Sequence, residues 1–547
     1  MIYHTFSFAN LPAHELMPHL ASFLERHSHC KLSWHLCWLS NESQPVIGLL
    51  PIKAWTAYTS SQIDSALKIE VLKTSRHIEL NKTKAHPYDN STPNHGSIHS
   101  NNFNAEHISN EHVSYHLTYN EWIEELISYC NDNQIQNNDL DFDCQQSTTF
   151  PSYQNGLIGF IGYDIGAKAL APNTDIAMAD QPSAFLAHYD IYLKPAKSQG
   201  WALHINSNTS KIVKDTVLYY LQLFDEQLLD LIKQSNLSPA LPLKALWNLE
   251  QYTQAFNQTQ NYLYQGDSYQ INLTQKWQGK LESVTNDLFS KVNDIQNPKL
   301  IDYLPQLQQK TMAPFAGYLG VSKTITALSP KSGFEFELLS CSPELFVAFD
   351  RNEQGQQKII TKPIKGTLPR GSSAEHDEQL KNKLVNSEKD KAENVMIVDL
   401  LRNDLGKYAE IGSVKVPKIF AIESFSNVHH MVSTITATIK KHHHPLTVLF
   451  NSLPAGSITG TPKKRAVEII SELEVAPRGA YCGTLGYINF DGTGQWNVLI
   501  RSLQSNSKGE VALWAGGGIT VGSKCNAEYQ ECQDKVGNLL AVLSPKE

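Results

Sequence analysis

The sequence predicts a chain of mixed α and β structure, because two hydrophobic patterns alternate along it. Short apolar runs bounded by turn residues, such as residues 46–51 and 156–164, indicate buried strands. Leucines at helical spacing in residues 213–235 indicate an amphipathic helix with one core-facing side. Apolar residues make up 41% of the 547 residues and charged residues 18%, a balance typical of a globular protein with a sizeable core.

Composition argues against several classes of protein. The net charge of −8 disfavours a nucleic-acid partner, whose binding surface is normally basic. The N-terminus has no basic region followed by a long apolar run, so we expect no secretory signal. No run approaches the roughly 18 apolar residues of a membrane span. The eight scattered cysteines include no Cys-x-x-Cys pair, which favours reduced thiols and a cytoplasmic location.

Two large domains are predicted, with their boundary at the Ser- and Pro-containing segment 236–242. Residues 1–240 form the N-terminal domain and residues 245–547 form the second domain. Within the first, residues 77–116 are rich in Asn, His and Ser and poor in large apolar side chains, so we predict a mobile insertion there. Its seven histidines are irregularly spaced, which favours a solvated set over a metal site.

Helices and strands alternate in the second domain. A helix is predicted at residues 249–265, and later strands are predicted at residues 269–275, 315–321, 335–340 and 345–349. In the first domain, the glycines of residues 156–164 fall inside an apolar run that no clear helix follows. These glycines indicate a buried strand with close backbone neighbours better than they indicate a nucleotide-binding loop.

Lys365, in the run Pro363-Ile364-Lys365-Gly366-Thr367, is the most informative residue of the sequence. Proline cannot donate to a ladder and glycine permits close backbone approach, so a strand of this kind typically ends beside a ligand. An ammonium group becomes a nucleophile when burial or a neighbouring cation favours its neutral form. For this segment alone, a lysine on a surface strand is the alternative.

Two predicted helices carry carboxylates. Ser387 caps the first helix, where Glu393 shares a face with apolar residues, a costly position unless a cation meets the carboxylate. In the second helix, Glu528, Glu531 and Lys535 share one face. Carboxylates on facing helices make a hard-oxygen site that suits Mg²⁺. Two alternatives stay open: Glu393 in water at the edge of the apolar stripe, and Lys535 paired with Glu531 on the surface.

Two segments of small residues are candidate anion sites. In residues 453–465, Thr461 is predicted to cap a helix and Pro462 to take its first position. The amides at that end and the Ser457 hydroxyl can then meet a ligand, and purely structural capping is the alternative. In residues 515–519, bare glycine amides at a strand end can approach a carboxylate, or they can form a tight turn.

The segments that carry this chemistry occur in one order along the second domain. They are Ser342-Pro343-Glu344, Pro363-Ile364-Lys365-Gly366-Thr367, Asp399-Leu400-Leu401-Arg402-Asn403-Asp404-Leu405, Val428-His429-His430-Met431-Val432-Ser433, residues 456–463, Arg478-Gly479-Ala480-Tyr481-Cys482-Gly483, Ile500-Arg501 and residues 516–535. Together they resemble the chorismate-utilising enzymes. The resemblance implies an α+β fold of the anthranilate synthase component I type, with two large antiparallel β-sheets enclosing the active site and helices outside. Residues 1–240 resemble the companion domain more loosely, and residues 77–116 have no counterpart in the family.

The resemblance also implies a metal site and a site for the ring carboxylate of chorismate. Glu393 and Glu531 would ligate Mg²⁺, with Glu528 nearby through water. That ion would hold the ring carboxylate. The protein groups that would contact the same carboxylate are Lys535 and the amides around Gly516 and Gly518.

The remaining residues carried over from the family surround the rest of the substrate. Tyr481 and Arg501 would bind the enolpyruvyl carboxylate, for which the planar guanidinium is suited. The residues that would line the ring are Gly366, His430 and Ser457. Glu344 would be the general acid that helps the ring C4 hydroxyl to leave.

Two positions discriminate within the family. Members that add water to chorismate place a lysine base where this chain has Gln270, which cannot serve as that base. Anthranilate synthases have Pro-Ile-Ala-Gly where this chain has Lys365 before the glycine, and the lysine version is similar to aminodeoxychorismate synthase component I. There the lysine would attack ring C2 as the C4 hydroxyl leaves, and ammonia would then attack C4 and expel the lysine. The expected product is 4-amino-4-deoxychorismate, on the route to p-aminobenzoate and folate, without loss of pyruvate.

The partners implied are chorismate and a source of ammonia. No segment resembles a glutaminase nucleophile, so ammonia is expected from a separate glutamine amidotransferase subunit or from solution. The Leu-Leu-Glu-Ser feedback motif frequent near the N-terminus of anthranilate synthases is absent, which favours para amination. Anthranilate synthase activity, with ortho amination and pyruvate release, is the alternative within the family. A non-catalytic paralogue that binds chorismate or tryptophan is the alternative of a different class.

Overall fold

The structure is a computed structural model that describes residues 2–27, 35–42, 44–59, 67–79, 107–134, 151–197, 199–234, 238–281, 298–322, 334–425 and 428–544. Its helices are α1 (Ala13–His27), α2 (Tyr119–Gln134), α3 (Tyr163–Leu170), α4 (Lys211–Gln234), α5 (Leu249–Tyr264), α6 (Leu304–Thr311), α7 (Ala374–Val385), α8 (Glu388–Gly406), α9 (Pro445–Ser452), α10 (Lys463–Leu473) and α11 (Cys525–Leu543). Short 3-10 helices lie at Phe8–Asn10, Leu300–Tyr303 and Gly456–Ile458. Among the described helices, none combines the length and the apolar character that a membrane crossing needs.

The strands form two large sheets. The strands are β1 (Ile2–Phe6), β2 (Cys37–Leu39), β3 (Val46–Gly48), β4 (Lys53–Thr59), β5 (Lys68–Glu79), β6 (His107–Thr118), β7 (Gly156–Ile161), β8 (Ala184–His188), β9 (Ile191–Pro195), β10 (Trp201–Ile205), β11 (Lys244–Ala245), β12 (Gln270–Lys280), β13 (Phe315–Ser322), β14 (Phe334–Ser342), β15 (Leu345–Arg351), β16 (Gln357–Thr361), β17 (Ile364–Pro369), β18 (Lys415–Ser424), β19 (Val428–Thr438), β20 (Gly460–Thr461), β21 (Thr484–Asn489), β22 (Gly494–Asn497), β23 (Ser502–Asn506) and β24 (Glu510–Ile519). Sheet A has the order β1-β10-β9-β3-β2-β13-β14-β23-β24-β12-β11, with β20 beside β12. Sheet B has the order β17-β19-β16-β15-β22-β21-β7-β8-β4-β5-β6, with β18 beside β19.

All described strand pairs are antiparallel, which together with the helices confirms the predicted α+β class. Each sheet contains strands from both sides of residue 240. In sheet A, Trp38 of β2 lies opposite Tyr318 of β13. In sheet B, Ile158 of β7 lies opposite Tyr487 of β21. The two predicted domains therefore share both sheets, and their boundary at residues 236–242 stays a prediction.

A hydrophobic cluster joins the two sheets face to face. The rings of Phe160 in sheet B and Phe336 in sheet A lie 4.9 Å apart, and both side chains are fully buried. Leu338 of sheet A and Leu485 of sheet B belong to the same cluster. Each such side chain contributes roughly 1.5–3 kcal/mol when it leaves water. This packing fixes the distance between the sheets and therefore the frame that holds the site residues.

The glycine run after residue 155 forms the buried strand that the sequence predicts. A Cβ on Gly159 would lie 1.9 Å from the carbonyl oxygen of Phe185 on the neighbouring strand, so the strands approach too closely for a side chain. The expectation that no clear helix follows was wrong, because α3 begins at Tyr163. Residues 163–168 of that helix are all buried. This helix is only eight residues long, about two turns, which is too short for helical periodicity to be recognised in the sequence.

The two ends of the predicted insertion 77–116 are ordered strands, which corrects that prediction. Residues 77–79 end β5, and residues 107–116 belong to β6. The two strands pair from Lys68 opposite Thr118 to Glu79 opposite His107. The outermost strand at this edge of sheet B is β6, which needs only β5 as its backbone partner, and β5 supplies the apolar positions Ile69 and Val71. An apolar composition throughout is therefore not required. The middle of the insertion lies outside the described residues.

The other elements predicted from the hydrophobic pattern are confirmed. The helices predicted at residues 213–235 and 249–265 are α4 and α5. The strands predicted at residues 269–275, 315–321, 335–340 and 345–349 are β12, β13, β14 and β15. Ser387 caps α8 as predicted, because its hydroxyl accepts the N–H of Asp390.

Candidate active site

Lys365 lies on β17, an outer strand of sheet B that pairs with β19. The pairing is irregular around Gly366, whose φ of +82° is a conformation that suits glycine. A Cβ on Gly366 would lie 2.8 Å from Leu384 Cδ1 of α7, so the strand passes directly against the helices. Lys365 Nζ lies 3.9 Å from Glu393 Oε2 of α8, and the lysine side chain is only 16% exposed. The alternative of a freely solvated surface lysine does not describe this position.

Glu344 lies between β14 and β15 and is 7% exposed. Ser457 donates its hydroxyl to Glu344 Oε1 at 3.4 Å. Burial raises the pKa of Glu344 to about 7, although the positive charge of Lys365 opposes the shift. Glu344 can therefore hold a proton near neutral pH, which is the property that a general acid requires.

Three carboxylates, called here the acidic cluster, belong to Glu393 of α8 and to Glu528 and Glu531 of α11. A Cβ on Gly517 would lie 2.9 Å from Glu528 Oε2 and 3.6 Å from Glu531 Oε1, so these two carboxylates converge over one glycine. Burial raises the pKa of Glu528, and the negative charges of Glu531 and Glu393 add to the shift. Glu528 and Glu531 thus share one face of α11 as their spacing predicts, and Glu393 of α8 is near enough for its charge to act on Glu528.

Three lysines lie among these carboxylates. Lys365 Nζ is 3.9 Å from Glu393 Oε2, and Lys389 Nζ is 3.8 Å from Glu393 Oε1. Lys535 Nζ is 2.6 Å from Glu531 Oε1. Burial acts to raise the pKa of Glu531, but the lysines outweigh it and the net shift is downward. Within the described ranges, no three His, Cys, Asp or Glu side chains are already grouped as a metal site.

The glycine run of β24 forms a strand end rather than a tight turn. Gly516 and Gly518 both pair with β12 on one side. On the other side, β23 pairs with β24 only as far as Leu513, so the described chain leaves that edge of the run without a neighbouring strand. Gly516 O accepts a hydrogen bond from Lys535 Nζ at 2.8 Å. Lys535 thus contacts both Glu531 and the glycine run. It lies at the predicted carboxylate site and also forms the ion pair with Glu531 that was the alternative.

His430 and Arg501 are two largely buried basic side chains, and the charge of Arg501 acts on His430. His430 of β19 is 3% exposed, and its Nδ1 shares a 2.7 Å hydrogen bond with Thr367 Oγ1. Burial lowers the pKa of His430 to about 4 and the charge of Arg501 adds to the shift, so the ring is neutral at physiological pH. Burial also lowers the pKa of Arg501 from its usual value. Arg501 has no ion-pair partner in the described residues, and a guanidinium in that state is a candidate site for a carboxylate.

The loop that contains Ser457 differs from the prediction at its end. Thr461 does not cap a helix, because it belongs to β20 and lies opposite Gln270 of sheet A. The helix α10 begins at Lys463, so Pro462 is its N-cap residue and not its first residue. Backbone pairing with the sheet moved the start of the helix, and the sequence has no local signal for that pairing. The Ser457 hydroxyl itself does reach the site, where it contacts Glu344.

Tyr481 is 4% exposed and stacks on Trp514 of β24, with ring centroids 5.8 Å apart and ring planes 9° from parallel. One region of the structure holds Lys365, Glu344, Ser457, His430, Arg501 and the acidic cluster, because each of them contacts another member or affects its pKa. Tyr481 is attached to that region less directly, through Trp514 two residues before the glycine run and through Arg478, whose guanidinium lies 5.9 Å from the tyrosine ring.

Sequence reasoning missed Arg478 as part of this site. Arg478 is 1% exposed and donates Nε to Glu474 Oε2 at 2.8 Å and Nη2 to Glu474 Oε1 at 2.7 Å. It also donates Nη1 to the carbonyl oxygen of Ile458 at 3.2 Å, next to Ser457. The i, i+4 spacing of Glu474 and Arg478 was the available signal, but it does not reveal that the pair is buried.

Comparison with known proteins identifies the family. The sequence model of one protein family, the chorismate binding enzymes, matches residues 100–541 of this chain. Aminodeoxychorismate synthase component 1 of Escherichia coli K12 is 37% identical over 396 residues, which cover 72% of this chain and 77% of that protein. Anthranilate synthase component 1 of Bacillus subtilis is 36% identical over 283 residues, which cover 52% of this chain and 48% of that protein.

Solved structures agree with the predicted fold. Anthranilate synthase component I from Streptococcus pneumoniae superposes with a TM-score of 0.55 at 22% identity, covering 77% of this chain and 88% of that one. A menaquinone-specific isochorismate synthase from Escherichia coli gives a TM-score of 0.55 at 15% identity, covering 94% of this chain and 90% of that one. The anthranilate synthase component I-like fold is therefore confirmed. On its sequence and its fold, the chain belongs to the family of chorismate binding enzymes.

Proposed function

We propose that this chain aminates chorismate at ring C4 to give 4-amino-4-deoxychorismate, as component I of an aminodeoxychorismate synthase. The observation that carries the proposal is the position of Lys365, an amine between a buried acid and the acidic cluster. Its charge acts on the pKa of Glu344, and its Nζ lies 3.9 Å from Glu393. The match to a protein named aminodeoxychorismate synthase component 1 over 72% of the chain supports the same reading.

The first half of the proposed reaction is an allylic displacement. The neutral amine of Lys365 forms a bond to ring C2, the two conjugated ring double bonds each shift by one position toward C4, and the C4–O bond breaks. Hydroxide is a poor leaving group, so Glu344 donates its proton to the departing oxygen, and water leaves. The pKa of about 7 keeps a useful fraction of Glu344 protonated for this step. The intermediate is a secondary ammonium that joins Lys365 to C2.

The second half reverses the displacement with a different nucleophile. Ammonia forms a bond to C4, both ring double bonds shift back, and the C2–N bond breaks. Lys365 leaves as a neutral amine, ready for another cycle. The new ammonium on C4 gives a proton to the Glu344 carboxylate, which restores the acid. No pyruvate is lost, because the enolpyruvyl group takes no part in either step.

Substrate binding would use the groups on both sides of the site. We assign the enolpyruvyl carboxylate to Arg501 and Tyr481, since Arg501 forms no ion pair with any carboxylate among the described residues. The ring carboxylate is assigned to Lys535 and to the amides around Gly516 and Gly518. The ring is assigned to Gly366, neutral His430 and Ser457.

Mg²⁺ is proposed as the cofactor, with Glu393 and Glu531 as ligands and Glu528 nearby through water. The donor set fits, because it consists of carboxylate oxygens whose mutual repulsion a hard cation would relieve. Bound Mg²⁺ would draw electron density from the ring carboxylate and favour nucleophilic attack at C2. The three lysines balance part of the same negative charge.

The proposed partner is a separate glutamine amidotransferase subunit that supplies ammonia. The component numbering of the relative named above supports a second subunit. The product would then serve p-aminobenzoate and folate formation. A cytoplasmic location is proposed with this role, and the six cysteines in the described ranges are all free thiols.

The test incubates the purified chain with chorismate, Mg²⁺ and ammonium at mildly alkaline pH and identifies the products by mass and chromatography. We expect 4-amino-4-deoxychorismate without pyruvate, and a lysine adduct that is lost in Lys365→Ala. Lys362→Ala is the matched control, because Lys362 pairs with Glu423 at 2.8 Å and faces no member of the acidic cluster in the described contacts. Anthranilate with pyruvate would contradict the proposal. No turnover even with an added amidotransferase would favour a chorismate-binding protein without catalysis.

A further inference from the structure

The turn formed by residues 478–482 carries Tyr481 into the site, and a buried amide side chain spans it from behind. Gln504 of β23 is 3% exposed. Its Nε2 donates to the carbonyl oxygen of Arg478 at 2.9 Å, and its Oε1 accepts the N–H of Ala480 at 2.8 Å. One side chain therefore fixes the backbone on both sides of the tip of the turn.

The tip itself is Gly479, which has a φ of +64°. Its N–H donates to Asp164 Oδ2 at 3.0 Å. A Cβ on Gly479 would lie 2.7 Å from Gln181 Nε2 and 2.9 Å from Gln504 Oε1, so side chains enclose the tip without spare room. Gln181 also donates Nε2 to Gln504 Oε1 at 2.7 Å, which orients the Gln504 amide. Both Asp164 and Gln181 come from the N-terminal half of the chain.

We propose that Gln504 is a positioning residue, which fixes the turn so that Tyr481 meets the enolpyruvyl carboxylate of chorismate; this inference rests on the proposed function. Gln504 acts through the backbone and does not touch the substrate. Tyr481 is stacked on Trp514 at 5.8 Å, so its ring already has one fixed side. The backbone that bears the ring is held by its own bonds, from Tyr481 N–H to the carbonyl oxygen of Arg478 at 3.2 Å and from Cys482 N–H to that of Leu499 at 2.8 Å. The hydrogen bonds of Gln504 add a side-chain restraint at the tip of the turn.

The chain offers a matched control at Gln275 of β12. Gln275 is 2% exposed, nearly the same burial as Gln504, and it lies in the same sheet. Within the described chain, neither polar atom of its side chain has a hydrogen-bond partner. Gln504→Met breaks bonds to the turn, whereas Gln275→Met removes an amide that holds nothing. The two variants share the change in side-chain chemistry and the degree of burial, and Gln504→Met alone loses hydrogen bonds to the turn.

The experiment measures the Kd of chorismate by titration calorimetry with Mg²⁺ present, for the wild-type chain and both variants. We expect a rise of about tenfold for Gln504→Met, the scale of one to two lost hydrogen bonds. We expect less than about a twofold change for Gln275→Met. Circular dichroism melting of each variant shows that the compared proteins are folded.

A double-mutant cycle with Tyr481→Phe separates positioning from general stabilisation. If Gln504 acts through Tyr481, Gln504→Met weakens chorismate binding much less in the Tyr481→Phe background than in the wild type. Equal affinity of wild type and Gln504→Met, or simple additivity in the cycle, would overturn the inference.

Two further outcomes complete the design. Gln181→Leu, at a half-buried position where folding is less at risk, should raise the Kd by about twofold, because it frees the Gln504 amide without removing it. No rise in that variant, together with an unfolded Gln504→Met, would count against the inference. A wild-type chain that binds no chorismate would instead overturn the proposed function, and with it the assigned role of Tyr481.

Discussion

Two ion pairs of the site differ in how tightly their charges are held. Arg478 and Glu474 share hydrogen bonds of 2.7 and 2.8 Å, and their side chains are 1% and 6% exposed. Lys365 and Glu393 lie 3.9 Å apart, too far for a hydrogen bond, and are 16% and 21% exposed. Arg478 and Glu474 form hydrogen bonds with each other, whereas Lys365 and Glu393 can still form hydrogen bonds with another partner.

This difference distinguishes residues that hold the site in place, the frame, from residues that we propose act on chorismate. A buried pair with short bonds holds its surroundings in place, because removal of either partner leaves an uncompensated buried charge. A longer, partly exposed pair can exchange its partner for a substrate or a metal ion at small cost. Buried ion pairs with short bonds in this site therefore mark the frame, whereas longer pairs and partly exposed pairs, including Lys535 with Glu531, belong to the groups that we propose act on chorismate.

The largest expected effect is on catalysis at Glu344. Glu344→Gln keeps the shape of the side chain but removes the acid, so kcat for amination should fall by about 10²- to 10⁴-fold. Steady-state kinetics with chorismate and ammonium measure the loss, and a Kd for chorismate close to that of the wild type would show that binding is preserved. A kcat of Glu344→Gln within about threefold of the wild-type value would mean that another group is the general acid.

The same variant makes a prediction about pH and stability. The pKa of Glu344 is about 7 in the folded chain against 4.5 as the ordinary value, so the folded state binds its proton more tightly than the unfolded state. Wild-type stability from this group is therefore present at low pH and is lost as the pH rises through about 7. Urea unfolding is measured at a series of pH values from acid to alkaline. Across that series, the free energy of unfolding of Glu344→Gln should rise by roughly 3 kcal/mol relative to that of the wild type. A constant difference between the two proteins would contradict the raised pKa.

The second effect in size concerns the frame. Arg478→Met leaves Glu474 as an unpaired buried carboxylate and should lower the free energy of unfolding by about 3–5 kcal/mol. Lys365→Met is the matched comparison, with an expected change below about 1 kcal/mol, because its pair is longer and more exposed. Chemical denaturation of both variants gives the values. Similar losses in the two variants would break the distinction between frame and chemistry.

The smallest effect is expected at the edge of the acidic cluster. Lys389 is 69% exposed and lies 3.8 Å from Glu393 one helical turn away. Lys389→Ala should change the free energy of unfolding by less than about 0.5 kcal/mol, the usual range for exposed i, i+4 pairs. Thermal melting of the variant against the wild type measures this change. A loss as large as that of Arg478→Met would mean that the lysines of the cluster belong to the frame.

Local signals in the sequence were sufficient for the elements that bear the acidic cluster. Ser387 caps α8, and the side chains at i and i+3 on α11 converge as predicted, since both features depend only on helical geometry. The glycine after Lys365 was also interpreted correctly, because a positive φ and a close neighbour are properties of one position.

Predictions failed where a distant strand decided the local structure. The sequence predicts Thr461 as a helix cap, but the backbone of Thr461 pairs with Gln270, and the helix begins later, at Lys463. Residues 107–116 have the composition of a mobile segment, yet they pair with β5 as an outer strand. Backbone hydrogen bonds to a partner remote in sequence leave no trace in local composition.

The sequence by itself identified the family of this protein and predicted the residues expected to carry its chemistry, because motif spacing and side-chain type are carried by the chain. Only the tertiary structure decided which charges are satisfied. Arg478 and Lys365 are both basic residues near carboxylates, and no sequence pattern shows which of the two ion pairs is buried. Burial between the sheets gives Arg478 a short, complete set of partners, whereas the outer strand leaves Lys365 at 3.9 Å from Glu393. That difference depends on the solvent exposure and distance of groups far apart in sequence, which packing alone sets.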